Sequence, residues 1–168
     1  MTLFTRACSL TFGRIEIRGH PDFLARTQSA LSLLENSRRF NIIDANIAVI
    51  RPGRRSGMKA WAKQPTFVVG RPTWQRSALW YAGAIAHDAY HAKLYGDAKR
   101  QTGSEPDPDV WTGAGAEKQC LHFQCEVMAE LNADPETLAY LEECAKNPSY
   151  QGRNKGWRAW LDYRKRWW

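Results

Sequence analysis

Apolar and polar positions alternate over residues 10–18 (LTFGRIEIR), at Phe12, Ile15 and Ile17 with one slip at Gly13, and predict a strand. After His20-Pro21-Asp22 the spacing changes. Phe23, Leu24, Ala30, Leu31, Leu33 and Leu34 fit one face of an amphipathic helix, which Asn36-Ser37 ends. The β-branched run 42–50 (IIDANIAVI) predicts a second strand, and Arg51-Pro52-Gly53 a turn. Residues 56–61 predict a short strand. Residues 65–70 (PTFVVG) predict a better one, at a sheet edge because Pro65 cannot donate to a ladder. A long helix is expected from Trp74 or Ser77 to Leu94 or Tyr95, with Gly96-Asp97 at its end. Residues 96–113, rich in Gly, Pro, Asp and Thr, read as a loop. Another helix spans 115–131. A further one spans 136–146, with Asp134 as N-cap, Pro135 at its first position and Asn147-Pro148 closing it. This order predicts an α+β domain with a small, mostly antiparallel sheet packed on several helices.

The chain of 168 residues suits a single domain over 1–168, with 43% apolar and 24% charged residues. No stretch approaches the length of a membrane span, and the N-terminus lacks the pattern of a secretory signal. The cysteines Cys8, Cys120, Cys125 and Cys144 form no CxxC pair and read as reduced, partly buried thiols, so a cytoplasmic location is expected. The formal charge of +7 favours acidic partners without naming one. No GxSxG and no Gly-rich nucleotide fingerprint occurs, which leaves serine hydrolases of that type and nucleotide-binding enzymes without support.

The chemistry concentrates in AIAHDAYHAKLY. His87 and His91 are four apart on a predicted helix, so they share a face one turn apart and can converge on one ion. Zinc requires such convergence, because its site is tetrahedral with short bonds to nitrogen. Ala84, Ile85, Ala86, Ala89 and Ala92 make the surroundings small and apolar. A third ligand is needed, and Glu117 on the next helix supplies it. Glu117 opens a stripe with Cys120, Leu121, Gln124 and Met128, where a lone carboxylate would be costly to bury. Glu126 and His122 are rival third ligands, off that stripe by helical phase. The competing readings are a chance HxxxH pair and a Glu117 placed only to complement the helix dipole.

The run from PTFVVG through HDAYH to AEKQCLHFQCEVMAEL resembles the gluzincin-type zinc metallopeptidases, in which an HExxH helix gives two ligands and a base and a later helix gives a ligand Glu. The resemblance covers roughly residues 65–131. It implies a zincin-like fold, Zn2+ held by His87, His91 and Glu117, and Asp88 as the catalytic base. It also implies a protein or peptide substrate aligned along PTFVVG as an added strand. The family has Glu where this chain has Asp88, one methylene shorter, and a base must come within hydrogen-bonding reach of the water it deprotonates. The expected function is therefore a zinc-dependent hydrolase of the metallopeptidase type. The alternative is a weakly active or inactive zinc-binding domain used for protein or nucleic-acid interaction. Tyr90, Tyr95, Arg54, Arg55 and Arg71 are candidates for stabilising an oxyanion.

Residues 152–168 mix six basic side chains with Trp157, Trp160, Tyr163, Trp167 and Trp168 and predict a basic aromatic C-terminal helix. Its spacing favours docking on the body with the charges in water. Stacking on nucleic-acid bases is the alternative use of the same composition.

Overall fold

The computed structural model describes residues 8–146. The elements follow in the order β1 (Cys8–Phe12), β2 (Ile15–Gly19), α1 (Pro21–Leu34), α2 (Phe40–Asn46), β3 (Val49–Gly53), β4 (Gly57–Lys59), β5 (Thr66–Gly70), α3 (Arg71–Trp74), α4 (Ala78–Thr102), α5 (Pro108–Thr112), α6 (Ala114–Glu130) and α7 (Pro135–Lys146). The expected C-terminal helix over 152–168 lies outside the described residues. No described helix is long and apolar enough to cross a membrane.

The α+β class stands. The five strands form one sheet in the order β1-β2-β3-β5-β4. The outer pairings, β1 with β2 and β4 with β5, are antiparallel; the inner pairings of β3 with β2 and β5 are parallel. The helical crossover through α1 and α2 explains the parallel β2–β3 pair, since a crossover returns the chain to the starting end of the neighbouring strand. Ile17, Ile50, Phe67 and Met58 fall in one row across four strands, and all are buried. The next row, Arg51, Val68 and Gly57, is partly or fully exposed. Period-two alternation thus gives the sheet a face for the helical layer.

Several local expectations are corrected. The strand over 10–18 is a hairpin. The slip at Gly13 is its two-residue loop, with Gly13 at φ +57°, a conformation that glycine adopts without strain. The first half of IIDANIAVI is helix α2, not strand. Ile43 and Ile47 are buried, and the entry to α2 is tied to the end of α6, where Glu130 accepts from Ser37 Oγ at 2.6 Å and from the Arg38 amide at 3.1 Å. Tertiary packing overrides the β-branched preference there. Arg51-Pro52-Gly53 lies in β3 and is no turn. Pro65–Gly70 is not at the edge: β5 is an inner strand and β4 forms the margin. Pro65 precedes the ladder, so its missing N–H costs nothing, while its carbonyl accepts from the Ala48 and Val49 amides.

Residues 96–113 are mostly helical. α4 runs through Gly96 to Thr102, supported by Lys93 pairing with Asp97 at 2.6 Å and by Arg100 pairing with the same carboxylate. It ends where Gly103 adopts φ +67° and returns its amide to the Lys99 carbonyl. α5 then starts at Pro108, with Asp107 accepting from the Asp109 amide. The remaining helix starts behave as expected: Ser77 caps α4 by accepting from the Trp80 amide, and Asp134 caps α7 by accepting from the Thr137 amide at 2.8 Å.

Candidate metal centre

Helix α4 carries two buried faces. Tyr81, Ile85, Ala89 and Ala92 belong to the main apolar core with the sheet and α1, and Thr27 of α1 hydrogen-bonds the Tyr81 hydroxyl at 2.9 Å. Gly83, His87 and His91, at spacing four, face α6. A Cβ at Gly83 would stand 2.5 Å from the Met128 sulfur, so this glycine sets how closely the two helices approach. The contacts run antiparallel: Gly83 to Met128, His87 to Gln124, and both histidines to Glu117.

The two Nε2 atoms are 3.1 Å apart. Glu117 brings Oε1 to 3.5 Å from His87 Nε2 and Oε2 to 3.2 Å from His91 Nε2. The far side of each ring is held. His91 Nδ1 lies 2.6 Å from the Trp111 carbonyl oxygen, and His87 Nδ1 lies 3.1 Å from Gln124 Oε1. A carbonyl oxygen only accepts, so in each ring Nδ1 is the donor and Nε2 is the atom turned toward Glu117. Two imidazole nitrogens and a carboxylate that share so small a volume attract positive charge, a proton or a metal ion. Cys120, one turn after Glu117, completes a group with the two histidines in which the ligand atoms lie within 4.8 Å of one another.

Charge follows the geometry. Burial disfavours the cation at His87, but the Glu117 carboxylate, with Asp88 and Gln124, outweighs it and raises the imidazole above its usual range. Burial likewise opposes ionisation of Glu117, and the two histidines reverse the balance, holding the carboxyl far below the ordinary carboxylate range. Asp88 is pushed up to about 6, chiefly by burial, with His87 and His91 pulling it down and Glu117 pushing it up. Burial, then the negative charges of Glu117 and Asp88, raises the Cys120 thiol well above its normal value.

The structure therefore brings His87, His91 and Glu117 together and places Asp88 in their field. The rival third ligands stand elsewhere: Glu126 pairs with Arg39 at 3.1 Å, and His122 lies on the exposed face of α6. The Tyr95 hydroxyl donates to Glu105, the Tyr90 ring packs on Phe123 at 4.7 Å between centroids, and Arg71 donates to Gln75. Three participants were not singled out from sequence: Gln124, the Trp111 carbonyl and Cys120 as a donor. Cys120 and Gln124 follow Glu117 at three and seven residues, so helical phase carried the signal for both. The Trp111 carbonyl comes from α5, where a loop was expected, and only tertiary structure places it.

These features define an α+β domain with a buried His/His/Glu cluster, and a cysteine beside it, between two antiparallel helices. Comparison with known proteins adds no relative: no family model matches the chain, and no curated protein or solved structure is found to be similar to it.

Proposed function

We propose that the domain is a zinc-dependent hydrolase of the metallopeptidase type, with a zincin-like arrangement of sheet and metal helix. One observation carries this reading. His87 Nε2 and His91 Nε2 are 3.1 Å apart, with Glu117 Oε1 3.5 Å from the first and Glu117 Oε2 3.2 Å from the second. Donors bound to one tetrahedral zinc at its usual bond lengths stand about 3.3 Å apart. The donor set of imidazole nitrogen, carboxylate oxygen and a nearby thiol suits zinc and disfavours magnesium or calcium, which take oxygen ligands.

Zinc held there would supply Lewis acidity and a water that ionises near neutral pH. The chain's own residues do the rest. Trp111 and Gln124 fix the imidazoles with Nε2 turned to the ion. Asp88 is the residue that accepts a proton from water at a carboxylate oxygen and hands it to the departing amine. The short margin strand β4 packs against α4 and offers a peptide an open edge for strand addition. This moves the substrate-aligning strand of the resemblance from 65–70 to 57–59.

The shorter reach of Asp88 favours a second reading, a zinc domain that binds without cleaving. Three measurements separate the two: zinc content, cleavage of a mixed peptide library, and cleavage after a chelator. The hydrolase reading expects about one zinc per chain and chelator-sensitive cleavage that Asp88→Ala abolishes while zinc stays bound. Zinc without cleavage would leave the binding domain. No zinc after reconstitution would end both.

A further inference from the structure

Glu117 and Cys120 are three residues apart on α6, so one helical face offers both to the histidines of α4. Resting on the zinc reading above, we propose that Cys120 is a fourth protein ligand, whose sulfur closes the coordination position that hydrolysis would need open.

Two observations point to this. The first is geometric. Cys120 Sγ forms a group with His87 and His91 whose ligand atoms lie within 4.8 Å of one another. In a tetrahedral zinc site with one sulfur bond, sulfur and nitrogen stand about 3.6 Å apart. That separation falls within the 4.8 Å limit that the three ligand atoms satisfy. The second concerns packing. Cys120 is fully buried and, like Val49 and Ala116, lies outside both apolar clusters. The first cluster joins the sheet, α1 and one face of α4; the second joins Trp80, Leu121, Met128 and the inner side of α7. Its sulfur groups instead with the two histidines, a setting that suits a soft donor.

The step is a ligand exchange without redox change. The sulfur–metal bond forms as the thiol proton leaves for solvent, and no oxidant or reductant takes part. With sulfur bound, the ion has four protein ligands, the arrangement of a closed site. With sulfur withdrawn it has three, and the fourth position admits water or substrate. Cys120 thereby determines whether the centre is in its closed or open form.

The test uses the full chain loaded with Co2+ in place of zinc, because thiolate bound to Co2+ gives a near-ultraviolet charge-transfer band that nitrogen and oxygen ligands do not. The expected result is one Co2+ per chain with that band, complete loss of the band in Cys120→Ser with Co2+ still bound, and loss of both in His91→Ala. A variant with Cys8, Cys125 and Cys144 all changed to serine must retain the band, which decides the matter if Cys120→Ser fails to fold. Stoichiometric Co2+ without the band overturns the fourth ligand and leaves the three-ligand zinc reading standing. No Co2+ bound by the wild type, with none of the variants binding it either, overturns both.

Discussion

Helix α4 presents two buried faces a fraction of a turn apart, and they are built on opposite principles. Toward the sheet it offers Tyr81, Ile85, Ala89 and Ala92, which fill volume and ask little of direction. Toward α6 it offers a glycine and two imidazoles against a carboxylate, an amide and a thioether. The first face gains free energy from apolar area removed from water, roughly 25 cal/mol per Å2. The second gives up that gain and spends hydrogen bonds on orienting two rings. A buried carboxylate beside histidines is a poor way to hold two helices together, since well-packed apolar residues of similar volume commonly stabilise as well or better. The difference separates two kinds of face: the one that packs less efficiently is the one organised around a point in space.

The strongest way to break the comparison is to remove the shared point. Glu117→Gln keeps the shape of the side chain and removes its charge. The expected result is loss of bound zinc, from about one per chain to near none. Without metal, this variant should be no less stable than the metal-free wild type if the carboxylate serves the proposed ion and not the fold. With zinc at a hundred times its dissociation constant, the wild type should gain about 2.7 kcal/mol and the variant nothing. Thermal unfolding with and without chelator reads both halves. A metal-free variant that melts well below the metal-free wild type would mean that the polar seam is structural after all.

The converse experiment acts on the other face. Ile85→Ala should cost about 2–5 kcal/mol through lost burial and the cavity left behind, which at this chain length lowers the melting temperature by about 2–4 °C per kcal/mol. Zinc stoichiometry below the melting point should not change. If zinc is lost along with stability, the two faces are coupled through the helix and the comparison fails.

Gly83→Ala tests the spacing between the faces. The added methyl meets the Met128 sulfur at 2.5 Å, so either that flexible side chain shifts or α6 moves outward. A cost of about 1–3 kcal/mol is expected for overpacking. Zinc affinity should fall as well, because Glu117 rides on α6 and the donor separations depend on how α6 seats. A stable variant with unchanged affinity would show that Met128 yields alone and that Gly83 does not set the metal geometry.

Much of the candidate site was legible in the sequence because it obeys helical phase. His87 and His91 at spacing four, and Glu117 with Cys120 and Gln124 along one stripe, follow from period alone once two helices are recognised. Around the site, the reading failed where tertiary contacts decide. The run IIDANIAVI is apolar enough for strand or helix, and the ties of Ser37 and Arg38 to Glu130 settle its first half as α2. Gly96 looked like a stop because a glycine costs helix stability, yet charge pairs on either side carry α4 through it. Asp107-Pro108 carries the same start signal as Asp134-Pro135, and a helix begins after each, the first inside a stretch whose Gly, Pro, Asp and Thr content predicts a loop. The zincin-like fold is an expectation from resemblance alone, and the ladder order places Thr66–Gly70 inside the sheet and not at its edge.

The smallest effect belongs to a cap remote from both faces, and its sign with pH is fixed. Asp134 accepts from the Thr137 amide at 2.8 Å and from the Thr137 hydroxyl at 2.7 Å. These bonds, the amide first, lower its carboxyl below the ordinary 3.8. A carboxylate whose folded value is depressed contributes stability above its unfolded value and loses it as pH falls through the folded one. Asp134→Ala should therefore lower the melting temperature slightly at pH 7, and the gap between variant and wild type should narrow as pH drops below about 3.8. Zinc content at pH 7 should stay the same, because α7 packs on the outer side of α6 through Leu141 and Leu121, away from the donors. A gap that widens on acidification would mean that Asp134 gains more from its protonated form than from its charge. A loss of zinc at pH 7 would mean that the outer helix, and not only the α4–α6 seam, sets the position of Glu117.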